Sequence, residues 1–141
     1  KKAVSRIIKT QNGYQMREKA LKLIGKAISE SEEVNNNEEY IDIASFIALS
    51  LDEIEQSIHE TTAVWEKKDY WVKADQFRAE WSWVGKMKGQ LIEAIKQKDA
   101  QKVGEVFEAL RKNRKVLEGM VKVRKGVDYS GSYLRFQNRF R

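Results

Sequence analysis

The sequence predicts an all-α protein: an antiparallel helical bundle of three long helices plus a shorter N-terminal helix, with an aromatic and basic C-terminal extension. Three observations predict it. The 141 residues contain no proline, the residue that removes an amide donor and clashes one turn back inside a helix. Apolar residues recur at spacings of three and four along most of the chain, the period of a helix that buries one face. The stretches between these runs are short, and short connections make helices antiparallel neighbours.

Residues 2–10 fit a short helix with Ala3, Val4, Ile7 and Ile8 on one side. "TQNG" then reads as a turn, because Asn-Gly favours positive backbone angles. Helix 1 is expected over 14–29, where Leu21, Ile24 and Ile28 share a face with Ala20 and Ala27. Gly25 falls inside it and costs roughly 1 kcal/mol against alanine. Either close helix packing offsets that loss or the helix is locally weak. "SESEEVNNNEE" is a linker, and Asn37 is the expected N-cap of helix 2, with Glu38 and Glu39 favoured by the helix dipole.

Helix 2 is expected over 38–67. Ile47, Leu51, Ile54, Ile58, Thr61 and Trp65 form its buried stripe, and Asp42, Asp52, Glu53, Glu55 and Glu60 its outer face. A tight reversal near 67–69, with Asp69 as a cap, leads into helix 3 over 70–98; a kinked or continuous helix through Trp81 is the competing reading. Tyr70, Ala74, Phe77, Trp81, Val84, Leu91 and Ile95 form the helix 3 stripe. Asp99 caps helix 4, expected over 100–123 with Val103, Phe107, Leu110, Leu117 and Val121 inward and Gly126 as C-cap. Helix 1 either completes a four-helix bundle or lies across a three-helix core. Residues 1–126 thus read as a single helical bundle domain and 127–141 as a C-terminal docking segment or tail.

Charge is unevenly distributed. The formal net charge is +6, but residues 31–60 hold nine acidic and no basic side chains, whereas 122–141 hold six basic and one acidic. The acidic face of helix 2 is expected to pair with a basic region of its own chain or of a partner, more for orientation than for stability. No apolar run reaches the length of a membrane span. The cytoplasm is the default compartment, and an upstream processed segment is compatible with it.

Catalytic chemistry finds little footing. Without cysteine there is no disulfide, no thiol nucleophile and no thiolate metal site. His59 is the only histidine, with Glu55 one turn before it. That excludes a multi-histidine metal site and a dimetal carboxylate bundle, which needs two Glu-x-x-His pairs. No nucleophile elbow or phosphate loop occurs, and the paired carboxylates Glu38, Glu39, Asp52 and Glu53 read as a solvated face. The expectation is a protein with no catalytic residues, no metal and no cofactor.

The aromatic residues are more informative. Trp65, Trp71, Trp81 and Trp83 lie within 19 residues. Trp65 and Trp81 fall on the buried stripes, whereas Trp71 and Trp83 fall off them and are candidates for a protein interface. In the terminal "KGVDYSGSYLRFQNRFR", Tyr129, Tyr133, Phe136 and Phe140 recur at spacings of four, three and four. That is a helical stripe, although "SGS" weakens its start and "YLRF" also suits a short strand. The segment is read as a docking element for its own bundle, a second copy or another partner, with aromatics inward and arginines at the rim.

Two functions follow. The first is a non-enzymatic protein-interaction or assembly module, including self-association, that uses these aromatics. The second is a nucleic-acid-binding accessory subunit, with phosphate contacts from Lys1, Lys2, Arg6, Lys9, Arg111, Lys112, Arg114, Lys115, Lys122, Arg124, Lys125, Arg135, Arg139 and Arg141, and steep salt dependence. No sequence-reading motif accompanies those basic residues.

Overall fold

Asn12 opens the first helix. In the computed structural model, which describes residues 12–141, its side chain accepts the Gln15 amide at 2.8 Å and the Gln15 side chain accepts the Asn12 amide at 3.4 Å. This capping box satisfies two helix-end donors reciprocally and starts α1, Gly13–Ser31. The short helix expected over 2–10, and with it Lys1, Lys2, Arg6 and Lys9, lies outside the described residues.

The second cap is Asn36 rather than Asn37: its side chain accepts the Glu38 and Glu39 amides at 2.7 and 3.2 Å. It starts α2, Asn37–Lys67, the spine of the molecule. Ile47, Leu51, Ile54 and Ile58 are buried along one stripe of α2, as the spacing predicts; Ile43 extends it, whereas Thr61 and Trp65 at its far end are only half-buried. Ser45, Ser50 and Ser57 are buried on its other sides, where small residues admit close neighbours. Ser50 donates to the Phe46 carbonyl and Thr62 to that of Ile58, so most hydroxyls taken out of water have partners.

α2 ends in the reversal expected near 67–69, but Asp69 does not cap the next helix, whose N-cap is Tyr70 with no side-chain bond. Asp69 takes the left-handed conformation (φ 64°). The Tyr70 amide reaches back to the Trp65 carbonyl at 2.8 Å and the Asp69 amide to that of Glu66 at 3.0 Å. The pair of bonds is a Schellman motif. The same motif recurs at Lys98 (φ 55°), where the Asp99 amide bonds the Ala94 carbonyl. Left-handed backbone costs an L-residue roughly 1–2 kcal/mol that glycine avoids. Lys98→Gly is therefore expected to raise stability by up to about 1 kcal/mol after glycine's greater unfolded-state freedom is deducted, measured by urea unfolding.

The bundle has seven helices among the described residues, not three long ones and a short N-terminal one. After α1 and α2 come α3 Trp71–Glu80, α4 Ser82–Lys96, α5 Ala100–Leu110, α6 Arg114–Lys122 and α7 Ser132–Arg139. The helix expected over 70–98 breaks at Trp81 (φ −105°, ψ 10°). There the Ser82 hydroxyl donates to the Ala79 carbonyl, a local bond that competes with the helix, and the Trp81 ring stacks against Trp83 at 6.1 Å. The helix expected over 100–123 breaks before Asn113, whose side chain accepts the Lys115 amide at 2.8 Å and that of Val116 at 3.4 Å. This break lets α5 pack on α4 while α6 crosses to α1. α6 ends at Lys122 with Val123 already extended, so Gly126 is not its C-cap.

α1 and α6 run antiparallel, tied by Lys115 to Glu18 at 3.0 Å and by the Arg111–Glu32 ion pair. Close packing is what Gly25 permits. A Cβ there would overlap the Val116 carbonyl and come within 3.0 Å of the Met120 amide nitrogen. Gly119 faces it: a Cβ would meet the Lys22 backbone, with Cα at 2.6 Å. Beyond α6, residues 123–128 form an extended strap beside α1 that leads back to Tyr129, whose hydroxyl donates to the Glu30 carboxylate. α7 then runs along α2. Phe136 is its anchor, only 2% exposed and part of the common core.

Candidate functional site

The corner between α2 and α3 exposes a compact set of large apolar side chains. Tyr70 is 51%, Trp71 55% and Val72 70% exposed, and Val64 on the last turns of α2 is 52% exposed. The cause is local. The segment "WVKADQFRAE" has no apolar stripe, and α3 buries fully only Ala74. Its first turn is fixed in direction by the Asp69 reversal, so Trp71 and Val72 point away from the core. Asp69 to Lys73 line a shallow depression of about 580 Å³.

Behind the corner the aromatics form a ladder. Trp65 meets Phe77 edge-on at 5.0 Å, Phe77 lies 6.3 Å from Trp81, and Trp81 stacks on Trp83. Such pairs add about 0.5–1.5 kcal/mol beyond burial. Two cations stiffen the ladder: Lys73 Nζ lies 4.4 Å above the Trp65 ring, and Arg17 lies 5.0 and 5.5 Å from the Phe77 and Trp81 ring centres. Arg17 is buried, donates to Ser57 Oγ at 2.7 Å, and burial lowers its pKa against a weaker opposing pull from Glu80. Glu66 pairs with Arg78, whereas Lys67 and Lys68 are exposed at the rim. The corner is thus an apolar centre on a rigid base, with Lys67, Lys68 and Lys73 outnumbering Asp69 at its edge.

The other aromatic candidates are engaged within the chain. Trp83 is half-buried against Trp81. Tyr129 meets Phe46 at 5.0 Å, Tyr133 stacks on Phe136, and Phe140 packs edge-on against Phe136. The carboxylate partners of this tail come from far away in sequence. Asp42 on α2 accepts the Tyr133 amide at 2.8 Å and thereby caps α7, whose own N-cap, Gly131, offers no side chain.

Asp52 is the second anchor and corrects its reading as a solvated carboxylate: it is 5% exposed. It accepts from Arg139 Nε at 2.9 Å, Lys88 Nζ at 3.1 Å and Gln56 at 2.8 Å, joining α2, α4 and α7. Lys88 also pairs with Glu55. Burial opposes ionisation of Asp52, but the bonds from Arg139 and Lys88 outweigh it and hold its pKa below the usual carboxylate value. A carboxyl depressed on folding stabilises above its unfolded pKa and loses that contribution as pH falls through the folded one. Tail docking is therefore expected to weaken below about pH 4. Asp52→Ala is expected to cost about 1–2 kcal/mol near neutrality, because it removes the carboxylate that holds Arg139 and one of the two that hold Lys88. Urea unfolding of both proteins from pH 7 to pH 2 checks this: the gap between them closes in acid.

Of the basic candidates, Arg111, Lys115 and Arg139 are held by carboxylates. Lys112, Arg114, Lys122, Arg124, Lys125, Arg135 and Arg141 are exposed. His59 is exposed on α2, and no cluster of three metal-ligating side chains occurs among the described residues. No described helix is long and apolar enough to cross a membrane. The sequence reading passes over Lys88 and Val72 and misplaces two others: Asp52, read as solvated, is buried, and Tyr70, read on the buried stripe, is 51% exposed. The signal for Asp52 is the run of small residues Ser45, Ser50 and Ser57, which marks α2 as buried on more than one side. No protein-family model, curated protein or solved structure matches the chain.

Proposed function

We propose that the protein is a non-enzymatic interaction module that binds an acidic protein surface through the α2–α3 corner, with Trp71 as the anchor. One observation carries the reading: Trp71 and Val72 are exposed side by side on a helix that buries fully only Ala74. The Asp69 reversal and the ladder from Trp65 to Phe77 fix the backbone that carries them, which limits the ordering cost of binding. Exposed tryptophan at the centre of a contact is the type of residue that carries binding energy, with lysines at the edge steering the encounter. The tail aromatics, taken up by α2, belong to the scaffold of this module rather than to its contact surface.

Cross-linking from a photoreactive group at position 72 in the source cells, read by mass spectrometry, tests the reading. Trp71→Ala is expected to lower the yield of a defined cross-linked protein at least about thirtyfold, with α-helical content unchanged. Lys102→Ala, on the exposed face of α5, serves as control. Equal cross-linking by the Trp71→Ala protein, or cross-links to nucleic acid or lipid alone, overturns it.

A further inference from the structure

The strap and α7 form a U over the α1–α2 face, and a trench remains inside it. One part, about 770 Å³, is lined by Tyr14, Leu23, Phe46, Val123 and Val127. A second part, about 600 Å³, continues from Lys19, Leu23 and Phe46 past Met16 and Leu49. Its length along α1, from Tyr14 to Leu23, is about 14 Å at 1.5 Å per residue. Among the described residues the trench is open along its length, which suits an occupant with one apolar and one polar face.

Charge selects among such occupants. Lys19, Lys22 and Lys125 stand at the lips of the wider part, with no ion-pair partner among the described residues. Of the two carboxylates there, Glu18 pairs with Lys115 at 3.0 Å, while Asp128 accepts the Ser130 amide at 3.0 Å and keeps its charge, so the three lysines outnumber it; in the second part Arg135 stands with Glu53. The chain's own first eleven residues carry four cations and no acidic group, so they repel this rim. Apolar anchors at positions i, i+4 and i+7 of a helix span about 10.5 Å, within the trench.

We infer that the trench is a second docking site, for an amphipathic helix of another protein whose apolar stripe is flanked by acidic residues. This site is independent of the Trp71 corner. A free acyl chain fits less well, since the open side would leave part of it in water, and the vesicle arm of the test below separates a bilayer from a helix.

The test uses the full chain and two labelled synthetic peptides of about 18 residues: a helix with leucine at i, i+4 and i+7 flanked by glutamate, and the same helix flanked by lysine. Fluorescence anisotropy is expected to show saturable binding of the acidic peptide only, weakening with salt. Lys19→Glu with Lys22→Glu, at the trench lip, should weaken it at least about tenfold and transfer the preference to the basic peptide. Leu23→Asn should weaken binding of the acidic peptide, and of the basic peptide in the lysine-reversed protein. Trp71→Ala should change neither, so that failure here and failure of the corner are separate results. No binding of the acidic peptide, equal binding of both peptides, or indifference to the lysine reversals overturns the inference. So does an Ile7→Asp, Ile8→Asp protein that binds the peptide tenfold more tightly, which would identify residues 1–11 as the occupant. Binding to oleate or anionic vesicles that the acidic peptide cannot displace overturns it as well.

Discussion

Gly25→Ala and Gly119→Ala are each expected to lower stability by about 3 kcal/mol or more, above the usual range for overpacking. The reason is what the new methyl groups would meet. At Gly25 the obstacle is the Val116 carbonyl, and at Gly119 the Lys22 backbone. A side chain can rotate away from a methyl group; the backbone of a facing helix cannot. α1 and α6 must therefore separate, which loosens the contacts of buried Val116 with α1 and strains the Lys115–Glu18 and Arg111–Glu32 pairs. Urea unfolding gives the loss, and amide exchange should localise it to α6. Gly89→Ala is the matched control. Nothing lies within 4 Å of a Cβ there, so on helical α4 alanine is expected to stabilise by up to about 1 kcal/mol. Destabilisation by all three changes alike would show that the close crossing is not the cause.

Phe136→Ala is the second large effect, about 3–5 kcal/mol for loss of a buried phenylalanine. Phe136 is buried, touches Tyr133 and Phe140, and connects an eight-residue helix to the core. A helix that short does not persist in water by itself. α7 is expected to detach as a unit, taking its contacts with Asp42 and Asp52 with it. Detachment limits the loss to the docking energy of the tail, so a value toward the lower end is expected. The check is amide exchange: residues 129–140 should lose protection while Ile47, Leu51 and Ile54 keep theirs. A uniform loss of protection would mean instead that α7 and the bundle unfold together.

How much of this is legible in the sequence differs element by element. The helical period and the absence of proline identify an all-α bundle. The stripe Ile47–Leu51–Ile54–Ile58 gives the buried face of α2. Asp99 is a cap as read, accepting the Lys102 amide at 3.1 Å. The breaks at Trp81 and Asn113 are not legible, because neither contains glycine or proline. An asparagine inside an otherwise periodic run becomes a cap only when tertiary contacts favour turning the chain, here the crossing of α6 to α1. The exposure of Trp71 follows from its place off the stripe. Trp83, equally off it, is covered because the break at Trp81 brings a second indole alongside. Asp52 resists sequence reasoning for a different reason: Lys88 and Arg139, which hold it, lie 36 and 87 residues away.

Those long separations bear on the order of folding. Tyr129 meets Glu30 across 99 residues and the Tyr133 amide meets Asp42 across 91. Contacts that close such loops carry a large entropy debt until the intervening chain is ordered. α7 also lacks a cap of its own and takes one from α2, so it has no template until the bundle exists. The tail is thus expected to join after the rate-limiting barrier, and its interactions to act on the unfolding limb of a chevron rather than the folding limb. The last eight-residue helix then works as a clasp: it contributes little to how fast the protein assembles and much to how long it stays assembled.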